Sequence, residues 1–323
     1  MKKAFLKRLN QFIDKFKLIS CCERIGVAVS GGPDSVFLLN LLNAIKENYK
    51  IELAVLHFNH RLRKEAYAEA NFVEDLANSL NIEFLAGSFD VGEFARLNKL
   101  STEEAARKKR YEFFKEAKKK LKLDRIATGH TKDDLVETFF MNLLRGATIE
   151  GLTSLKPRYS IFIRPILTFS KNEIVEYLKQ NNIKFVIDSS NFDTKYTRNR
   201  IRHELIEQLK TFNPNLVDTI FNNYLVMLSQ AKIIDELTTI NIAKHVRFYS
   251  DYCLIDVKNI KNPALIGSII KEAIKKLLNN HYSLSSININ RIVDEVVFRH
   301  KTVHLRKLLT ASTKDGVVKI KKL

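Results

Sequence analysis

Cysteine, tryptophan and long apolar runs are scarce or absent in this sequence of 323 residues. It has no tryptophan, and its three cysteines, Cys21, Cys22 and Cys253, cannot build a disulfide framework. No window approaches about 18 uncharged apolar residues, and lysine and arginine interrupt the apolar positions of residues 1–18. We therefore expect no membrane span, no signal peptide and no disulfide-rich secreted fold, and we predict a location in the reducing cytoplasm.

Acidic residues are few relative to basic ones. The chain has 36 aspartates and glutamates against 54 lysines and arginines, and the resulting net charge of +18 favours a polyanionic partner. The imbalance is strongest in residues 299–323, where Asp315 is the single acid among many lysines and arginines. This stretch predicts a nucleic-acid-binding surface. A genome biased toward lysine would produce the same excess and is the alternative.

Glycine is also infrequent, and two of the ten glycines stand together between a predicted strand and a predicted helix. The apolar run 25–29 is typical of a buried strand, and residues 36–42 begin a helix. Gly31 and Gly32 allow backbone N–H groups to turn toward an anion, and Pro33 suits the first position of a helix. The stretch predicts a phosphate-binding loop, with a ligand-free turn as the alternative. Because no lysine follows Gly32, the loop is not of the Walker type.

Polar side chains also follow the next predicted strand, residues 51–59. In open α/β sheets the carboxyl ends of the strands line the ligand crevice, so these side chains are placed to contact a ligand. An ordinary hydrogen-bonded position at a strand end is an equal alternative for either histidine. The side chains are those of His57, Asn59, His60, Arg61 and Arg63.

A basic helix is predicted over residues 101–121, beginning with a capping box from Ser101 to Glu104. Arg107, Arg110 and Tyr111 share one face of it, since their spacing is i, i+3 and i+4. Two arginines on one face could hold phosphates or a carboxylate. A solvated charged face is the alternative and is favoured on spacing alone.

A cluster of acids follows the predicted strand 124–128. Gly129 and His130 lead into a helix whose first turns carry Asp133, Asp134 and Glu137. Acids at a helix start commonly complement the helix dipole. Beside a phosphate loop, however, such a cluster predicts a site for Mg²⁺ and ATP or a pocket for an ammonium group.

The remaining patterns complete a two-domain prediction. We expect strands at 160–166 and 183–187, a helix beginning at Ser170, and a basic helix beginning at Tyr196 that suits contacts with RNA phosphates. From Asn213 onward helical patterns dominate, with one short strand at 252–257. The prediction is an α/β domain over residues 1–212, with a doubly wound, mostly parallel sheet, followed by a smaller, mainly helical and basic domain over residues 213–323.

The motif Ser-Gly-Gly-x-Asp-Ser at residues 30–35 resembles the PP-loop of the ATP pyrophosphatases. The ordered set of motifs over residues 20–210 is similar to that of the tRNA(Ile)-lysidine synthetase family, in a compact form. That resemblance implies cleavage of ATP between its α- and β-phosphates, with Mg²⁺ as cofactor. It also implies that L-lysine is ligated to C2 of the wobble cytidine in an isoleucine tRNA with a CAU anticodon, which changes codon reading from AUG to AUA. A homodimer is compatible with the family.

The resemblance also implies roles for particular residues. Asp34 would hold Mg²⁺, and the domain 213–323 would bind tRNA. The implied catalytic residues are Asp34, Arg107, Asp133, Asp134 and Glu137. The implied ATP-binding residues are Ser30, Gly31, Gly32, Pro33, Asp34, Ser35, His57, Gly129 and His130. The implied tRNA-binding residues are Arg61, Arg63, Arg164, Asn191, Arg198, Asn199, Arg200 and Arg202.

Other functions stay open at this point. A PP-loop enzyme that thiolates a pyrimidine would need sulfur-carrying or cluster-binding cysteines, and the sequence has no Cys-x-x-Cys pair. A ligase for small molecules would require neither the charge of +18 nor the basic residues 196–202. A non-catalytic RNA-binding protein on the same fold would not require an intact Asp34 or an intact acidic cluster.

Overall fold

The computed structural model describes residues 2–61, 66–186, 197–279, 284–305 and 308–323. The chain divides into two compact units, the first formed by Met1–Met141 with Leu155–Phe221 and the second by Asn142–Ser154 with Asn222–Leu323. The predicted boundary near Asn213 lies inside the first unit. In the described part of the chain, no helix is both long and apolar enough to cross a membrane.

The first unit is built on a six-stranded sheet. Its strands are β1 (Arg24–Ala28), β2 (Glu52–Asn59), β3 (Glu83–Ser88), β4 (Arg125–Ala127), β5 (Arg158–Tyr159) and β6 (Phe162–Ile163). Their order is β3-β2-β1-β4-β6-β5, and all neighbours pair in parallel except β5 and β6. The sheet confirms the predicted mostly parallel α/β architecture. Because strand order reverses between β1 and β4, the carboxyl ends of these strands border the crevice where such folds bind ligands.

Helices connect the strands and continue into the second unit. In chain order they are α1 (Lys2–Phe16), α2 (Pro33–Tyr49), α3 (Ala66–Ser79), α4 (Val91–Asn98), α5 (Thr102–Lys120), α6 (Lys132–Leu144), α7 (Ile149–Leu152), α8 (Lys171–Gln180), α9 (Thr197–Arg200), α10 (Ile206–Phe212), α11 (Leu216–His245), α12 (Pro263–Leu277) and α13 (Ser286–Arg291). Capping boxes begin α5, at Ser101, and α8, at Ser170, as predicted. Short π-helical segments, Ile201–Leu205 and Ile292–Phe298, follow α9 and α13.

The register of the central strands determines which side chains meet at the ligand edge. Ala28 of β1 pairs with Leu56 of β2, and Val27 pairs with Ala127 of β4. The residues that follow these strands therefore emerge at the same edge of the sheet. They are the phosphate loop, the polar end of β2 and the loop that contains Gly129.

The second unit contains a five-stranded antiparallel sheet in addition to its helices. The strands are β7 (Val246–Phe248), β8 (Tyr252–Asp256), β9 (Val303–Leu305), β10 (Leu309–Lys314) and β11 (Val317–Lys322), in the order β7-β8-β11-β10-β9. Aliphatic side chains of α12, the second π-helical segment and the sheet form one core, which includes Ile269, Ile292 and Ile320. Helices account for more residues than strands, in agreement with the predicted mainly helical character.

Several local predictions were wrong. Residues 183–186 form no strand; instead Val186 N–H donates to the Gly31 carbonyl at 2.9 Å. The strand predicted at 160–166 is reduced to Phe162–Ile163, and α4 was not predicted. Of the second sheet, only β8 was predicted. Strand β11 alternates buried Val318 and Ile320 with exposed lysines, a strand pattern that the prediction of a basic nucleic-acid-binding surface over residues 299–323 did not include.

Candidate active site

The phosphate loop, residues 30–35, joins the end of β1 to the first turn of α2. Gly31 has φ of +91°, which favours glycine, and Gly32 is the extended N-cap of α2. Ser30 N–H donates to Ser35 Oγ at 3.1 Å, and Ser35 Oγ donates to the Gly32 carbonyl at 2.9 Å. These bonds hold the loop around the N-terminus of α2, whose N–H groups and dipole suit a phosphate.

Asp34 carries an unsatisfied carboxylate in the first turn of α2. In the described part of the chain, its Oδ1 is buried and has no hydrogen-bond partner. Burial raises the pKa of Asp34 to about 7, and the negative charge of Asp134 contributes to the rise. A buried, unpaired carboxylate oxygen beside a phosphate loop is therefore a place where a cation would stabilise the charged form.

The donor set fits Mg²⁺ bound together with phosphates. Mg²⁺ is commonly held by one or two carboxylates, substrate phosphates and water, rather than by a complete protein cage. Among the described residues, no group of three or more His, Cys, Asp or Glu side chains could hold a metal ion by itself. Asp34 would thus supply a ligand, and phosphate and water oxygens would supply the others.

Gly129 brings the loop after β4 into contact with the start of α2. A Cβ atom on Gly129 would lie 3.3 Å from the carbonyl carbon and oxygen of Asp34 and from Cα of Ser35. This spacing is tighter than ordinary van der Waals contact, so the close approach of the two backbones depends on glycine at this position. The acidic helix start and the phosphate loop are thereby packed directly against each other.

His57 and His130, the two histidines assigned to ATP binding, are uncharged at neutral pH. Burial lowers the pKa of His130 to about 3, and its Nδ1 lies 2.9 Å from Thr128 Oγ1. Burial also lowers the pKa of His57, whose Nδ1 lies 2.9 Å from the Val29 carbonyl oxygen. Because a carbonyl only accepts, His57 carries its proton on Nδ1 and offers Nε2 as an acceptor. Both rings therefore act through hydrogen bonds rather than through charge.

Glu137 on α6 binds two arginines. It is 1% exposed; Arg202 Nε donates to its Oε1 at 2.6 Å and Arg198 Nε to its Oε2 at 2.7 Å. Lys171 Nζ lies 3.7 Å from the same carboxylate. Arg198 and Arg202 are four residues apart, and the π-helical segment begins between them at Ile201. Residues at this spacing lie on the same side of a helix, so both guanidinium groups reach the same carboxylate.

Asp134 belongs to the same cluster. Its Oδ2 accepts hydrogen bonds from Thr131 N–H at 2.8 Å and from Thr131 Oγ1 at 3.0 Å, whereas Oδ1 lies 3.2 Å from Lys171 Nζ and 3.3 Å from Arg198 Nη2. Burial opposes ionisation, but the positive charges of Lys171 and Arg198 hold the pKa of Asp134 well below its usual range. Asp134 is therefore ionised at neutral pH.

Asp133 and Lys171 connect the cluster to α8. Lys171 N–H donates to Asp133 Oδ2 at 2.8 Å, while burial raises the pKa of Asp133. For Lys171, burial opposes the charge, but Asp134 and Glu137 raise its pKa. The cluster thus places four carboxylates, counting Asp34, against three cations in a confined region.

A cavity of about 920 Å³ opens at this edge of the first unit. Its lining includes the phosphate loop except Gly31, together with His57, Gly129 and His130. Lys171 and Arg202 line it as well, with Asp134 and Glu137 in contact behind them. A volume of this size accommodates a nucleotide. The sequence-predicted ATP-binding residues are therefore gathered around one cavity.

Helix α5 brings one of its two predicted arginines to the cavity. Arg110 lines the cavity, and burial lowers its pKa, although a guanidinium stays charged. Arg107 is exposed and does not line the cavity. Its guanidinium carbon lies 5.0 Å from the centroid of the Tyr111 ring. Of the three residues predicted to share one face of α5, Arg110 and Tyr111 line the cavity and Arg107 does not.

The predicted tRNA-binding residues are dispersed. Arg198 and Arg202 are bound to the acidic cluster, while Arg200 is exposed and pairs with Glu204 at 3.4 Å. Arg61 lines the cavity and donates to Ser88 Oγ at 2.8 Å. Arg164 is 6% exposed and donates to the Lys156 carbonyl at 2.5 Å. Asn199 is half-buried in α9. Arg63 and Asn191 lie outside the described residues.

Lys171 is the principal residue that sequence reasoning missed. The sequence predicts only the start of a capped helix at this position, because a lysine after a Ser cap carries no special signal. The signal that could have found it is its place one loop beyond β6, at the same sheet edge as the acids. Its contacts with Asp133, Asp134 and Glu137 arise from tertiary packing.

Comparison with known proteins shows the family of the chain. Residues 1–209 match the PP-loop domain family. A tRNA(Ile)-lysidine synthase from Clostridium perfringens is 34% identical over 323 residues, which cover 98% of this chain and 68% of that protein. The chain belongs to the tRNA(Ile)-lysidine synthase family. A member from Thermosipho africanus is 46% identical over 211 residues, 65% of this chain and 49% of its own. The chain thus spans about half to two thirds of the length of these relatives.

A solved structure supports the fold of this family member. The U34-tRNA thiolase NcsA of Methanococcus maripaludis, determined with its [4Fe-4S] cluster, aligns with a TM-score of 0.59 at 16% identity. The alignment covers 71% of this chain and 80% of the thiolase. At this identity the likeness concerns the PP-loop fold alone.

Proposed function

We propose that this chain ligates L-lysine to C2 of the wobble cytidine in an isoleucine tRNA with a CAU anticodon, at the expense of ATP. The cytidine O2 attacks the α-phosphorus of ATP and releases pyrophosphate. The lysine ε-amine, in its neutral form, then attacks C2; the new C2–N bond forms, the C2–O bond to AMP breaks, and the nitrogen releases a proton. The products are lysidine, AMP, pyrophosphate and a proton.

One observation carries the proposal. The phosphate loop and the acidic start of α6 meet at the ligand edge, with Gly129 in backbone contact with Asp34. An anion site and a site rich in carboxylates thus lie side by side, as a reaction between a nucleotide and an amine requires.

The residues at the edge have distinct proposed roles. The phosphate loop and the N-terminus of α2 would bind the ATP phosphates, with Asp34 as a ligand of Mg²⁺, which would offset phosphate charge. Arg110, which lines the cavity, and Arg107, one turn before it on α5, would stabilise charge on the transferring phosphate. His57 and His130, both neutral, would position the nucleotide by hydrogen bonds.

The acidic cluster is the proposed lysine site. Asp133, Asp134 and Glu137 would hold the ε-ammonium, and one of them would accept its proton before attack. Because Asp134 and Glu137 already bind cations, the incoming ammonium would exchange with a protein cation. That exchange is electrostatically feasible, since one positive charge replaces another.

The same proposal includes the partners. The basic residues 196–202 and the domain 213–323 would bind the tRNA, whose phosphates match a chain with a net charge of +18. A homodimer and a cytoplasmic location are also part of it. Light scattering on the purified chain would check the dimer.

The test is incorporation of labelled lysine. Purified chain, ATP, Mg²⁺ and lysine are incubated with an isoleucine tRNA transcript bearing CAU, and with a methionine tRNA transcript bearing the same anticodon. We expect label in the isoleucine tRNA only, with one AMP and one pyrophosphate formed per lysine. Sulfur incorporation from a thiol donor instead would identify a thiolase, and the absence of any product would indicate a binding protein.

Two variants sharpen this assay. Asp34→Ala should abolish labelling and leave tRNA binding within a few fold, because the carboxylate acts on ATP and not on RNA. Glu204→Gln, which removes an exposed partner of Arg200, should retain wild-type labelling. Loss of labelling and tRNA binding together in Asp34→Ala would mean that Asp34 is structural.

A further inference from the structure

A pair of stacked tyrosines marks one corner of the antiparallel sheet in the second unit. Tyr249 and Tyr252 flank the turn between β7 and β8, and Tyr249 N–H donates to the Tyr252 carbonyl at 2.9 Å. Their ring centroids are 4.4 Å apart, with 13° between the ring planes. Tyr249 is 44% exposed despite this stacking. A large aromatic face therefore points to solvent at a position where no core packing requires it.

Positive charges stand beside the tyrosines. Lys321 of β11 pairs in register with Tyr252, and Lys319 pairs with Leu254 on the same solvent-facing side of the sheet. Lys319 Nζ lies 4.6 Å from the centroid of the Tyr252 ring. Since the Tyr249 ring covers one face of Tyr252 at 4.4 Å, this ammonium lies over the other face. The outer face of Tyr249 is the end of the stack.

Within the described part of the chain, no carboxylate pairs with these charges. Arg247 of β7 pairs with Leu254 and therefore lies on the same side of the sheet as Lys319. Among the described residues, no carboxylate lies within 4.0 Å of Arg247, Lys319 or Lys321. Thr310 and Ser312 of β10 pair with Lys321 and Lys319 and add hydroxyl groups to the same side of the sheet. The surface formed by Arg247, Tyr249, Tyr252, Lys319 and Lys321, here called the tyrosine platform, thus combines a ring face, positive charge and hydrogen-bonding groups.

We propose that the tyrosine platform binds an unpaired segment of RNA, with a base stacked on Tyr249 and the adjacent phosphates beside Arg247, Lys319 and Lys321. Stacking on exposed aromatic rings and neutralisation by lysines are the two interactions by which sheet surfaces bind single strands. An acidic peptide or an anionic lipid surface would use the charges but gain little from a stacked ring. The identification of this RNA as the substrate tRNA rests on the proposed function; the binding chemistry does not.

Fluorescence anisotropy with the full chain tests the platform. The probes are a labelled, unstructured RNA of about 12 nucleotides and a hairpin of the same composition whose bases are paired. We expect the wild-type chain to bind the single strand more tightly. Tyr249→Ala should weaken that binding by about fivefold or more, whereas Tyr249→Phe, which keeps the ring, should stay within twofold. Lys319→Gln with Lys321→Gln should reduce the salt dependence of binding by about two phosphate contacts.

Matched controls come from the same unit. Phe298→Ala removes an exposed aromatic ring outside the sheet face, and Lys276→Gln removes an exposed positive charge from α12. Both should bind the single strand as the wild type does. Equal binding by Tyr249→Ala and wild type would overturn the proposal, as would equal losses in Tyr249→Ala and Phe298→Ala. Tyrosine-dependent binding to vesicles of anionic phospholipid, with no dependence for RNA, would assign the platform to membranes instead.

Lysine incorporation separates this proposal from the proposed function. If both hold, Tyr249→Ala should raise KM for tRNA and leave kcat at saturating tRNA unchanged, since the platform only binds. If the wild-type chain lysidinylates no RNA but single-strand binding still depends on Tyr249, the proposed RNA-binding platform is supported and the proposed reaction is contradicted. If lysine is incorporated normally and the affinity for RNA is the same with and without the Tyr249 ring, only the proposed platform is refuted.

Discussion

At the scale of single residues, Asp34 shows how burial and function oppose each other. The carboxylate is buried beside Asp134, and its Oδ1 lacks a hydrogen-bond partner among the described residues. A structural role would favour an apolar or amide side chain at this position. A carboxylate is favoured only when a cation joins it, which agrees with the proposed contact to Mg²⁺ and phosphate.

The free energy of unfolding should depend on pH, because burial of the ionised Asp34 carboxylate destabilises the folded chain. The pKa of Asp34 is about 7 in the folded chain and 3.8 for a free side chain, so between about pH 4 and pH 7 the folded state binds more protons. The stabilising contribution of the protonated carboxyl is therefore complete below about pH 4 and is lost as pH rises through 7. Without Mg²⁺ and nucleotide, Asp34→Asn should increase the free energy of unfolding at pH 8 by up to about 4 kcal/mol, and much less at pH 5.

Urea denaturation at the two pH values, in the presence of EDTA, measures this difference. Asp75→Asn, at an exposed position of α3 in the same unit, is the matched control and should show no such pH dependence. If Asp34→Asn were less stable than the wild type at pH 8, the carboxylate would be paired within the protein and the ligand argument would fail.

At the scale of elements, the loop after β4 and the start of α2 depend on one close contact. Gly129→Ala would place a Cβ 3.3 Å from the backbone of Asp34 and Ser35, so the two elements must separate by a few tenths of an ångström. The phosphate loop and the acidic cluster would then lose their alignment. We expect ATP affinity to fall about tenfold, because small displacements in a preorganised site are costly.

Isothermal titration calorimetry with a nonhydrolysable ATP analogue measures this effect. Gly92→Ala is a suitable control, since its Cβ would meet nothing closer than Asp90 Oδ1 at 3.5 Å and α4 would gain a better helix former. That variant should bind the analogue normally. Normal binding by Gly129→Ala as well would show that the contact does not position the site.

At the scale of the whole molecule, the net charge of +18 should govern the proposed association with tRNA. If the excess lysines neutralise phosphates, raising monovalent salt from about 50 to 200 mM should weaken tRNA binding by roughly 100-fold. Binding of lysine should change far less. A decrease in tRNA affinity of less than about threefold would instead support a compositional origin of the lysines. Filter binding over a salt series provides the measurement.

How far the sequence predicts this fold and site depends on how local the causes are. The strand, glycines and proline around residues 25–42 act through neighbouring backbone, so the phosphate loop could be predicted without a structure. The capping boxes at Ser101 and Ser170 are equally local. Strand β11 could also be predicted from the sequence, because its apolar and charged residues alternate. Its many lysines, however, favour the interpretation as a basic surface.

Tertiary structure decided which charged groups meet. The sequence by itself determined the PP-loop, the acidic helix start and the family, because these are contiguous motifs with their own backbone requirements. It could not determine that Arg198 and Arg202 reach Glu137, or that Lys171 joins them, since ion pairs between distant segments leave no local signal. Likewise, only the register of β8 against β11 brings Lys321 beside Tyr252. The sequence determines which chemical groups the side chains carry, whereas strand pairing and helix packing determine which of these groups come into contact.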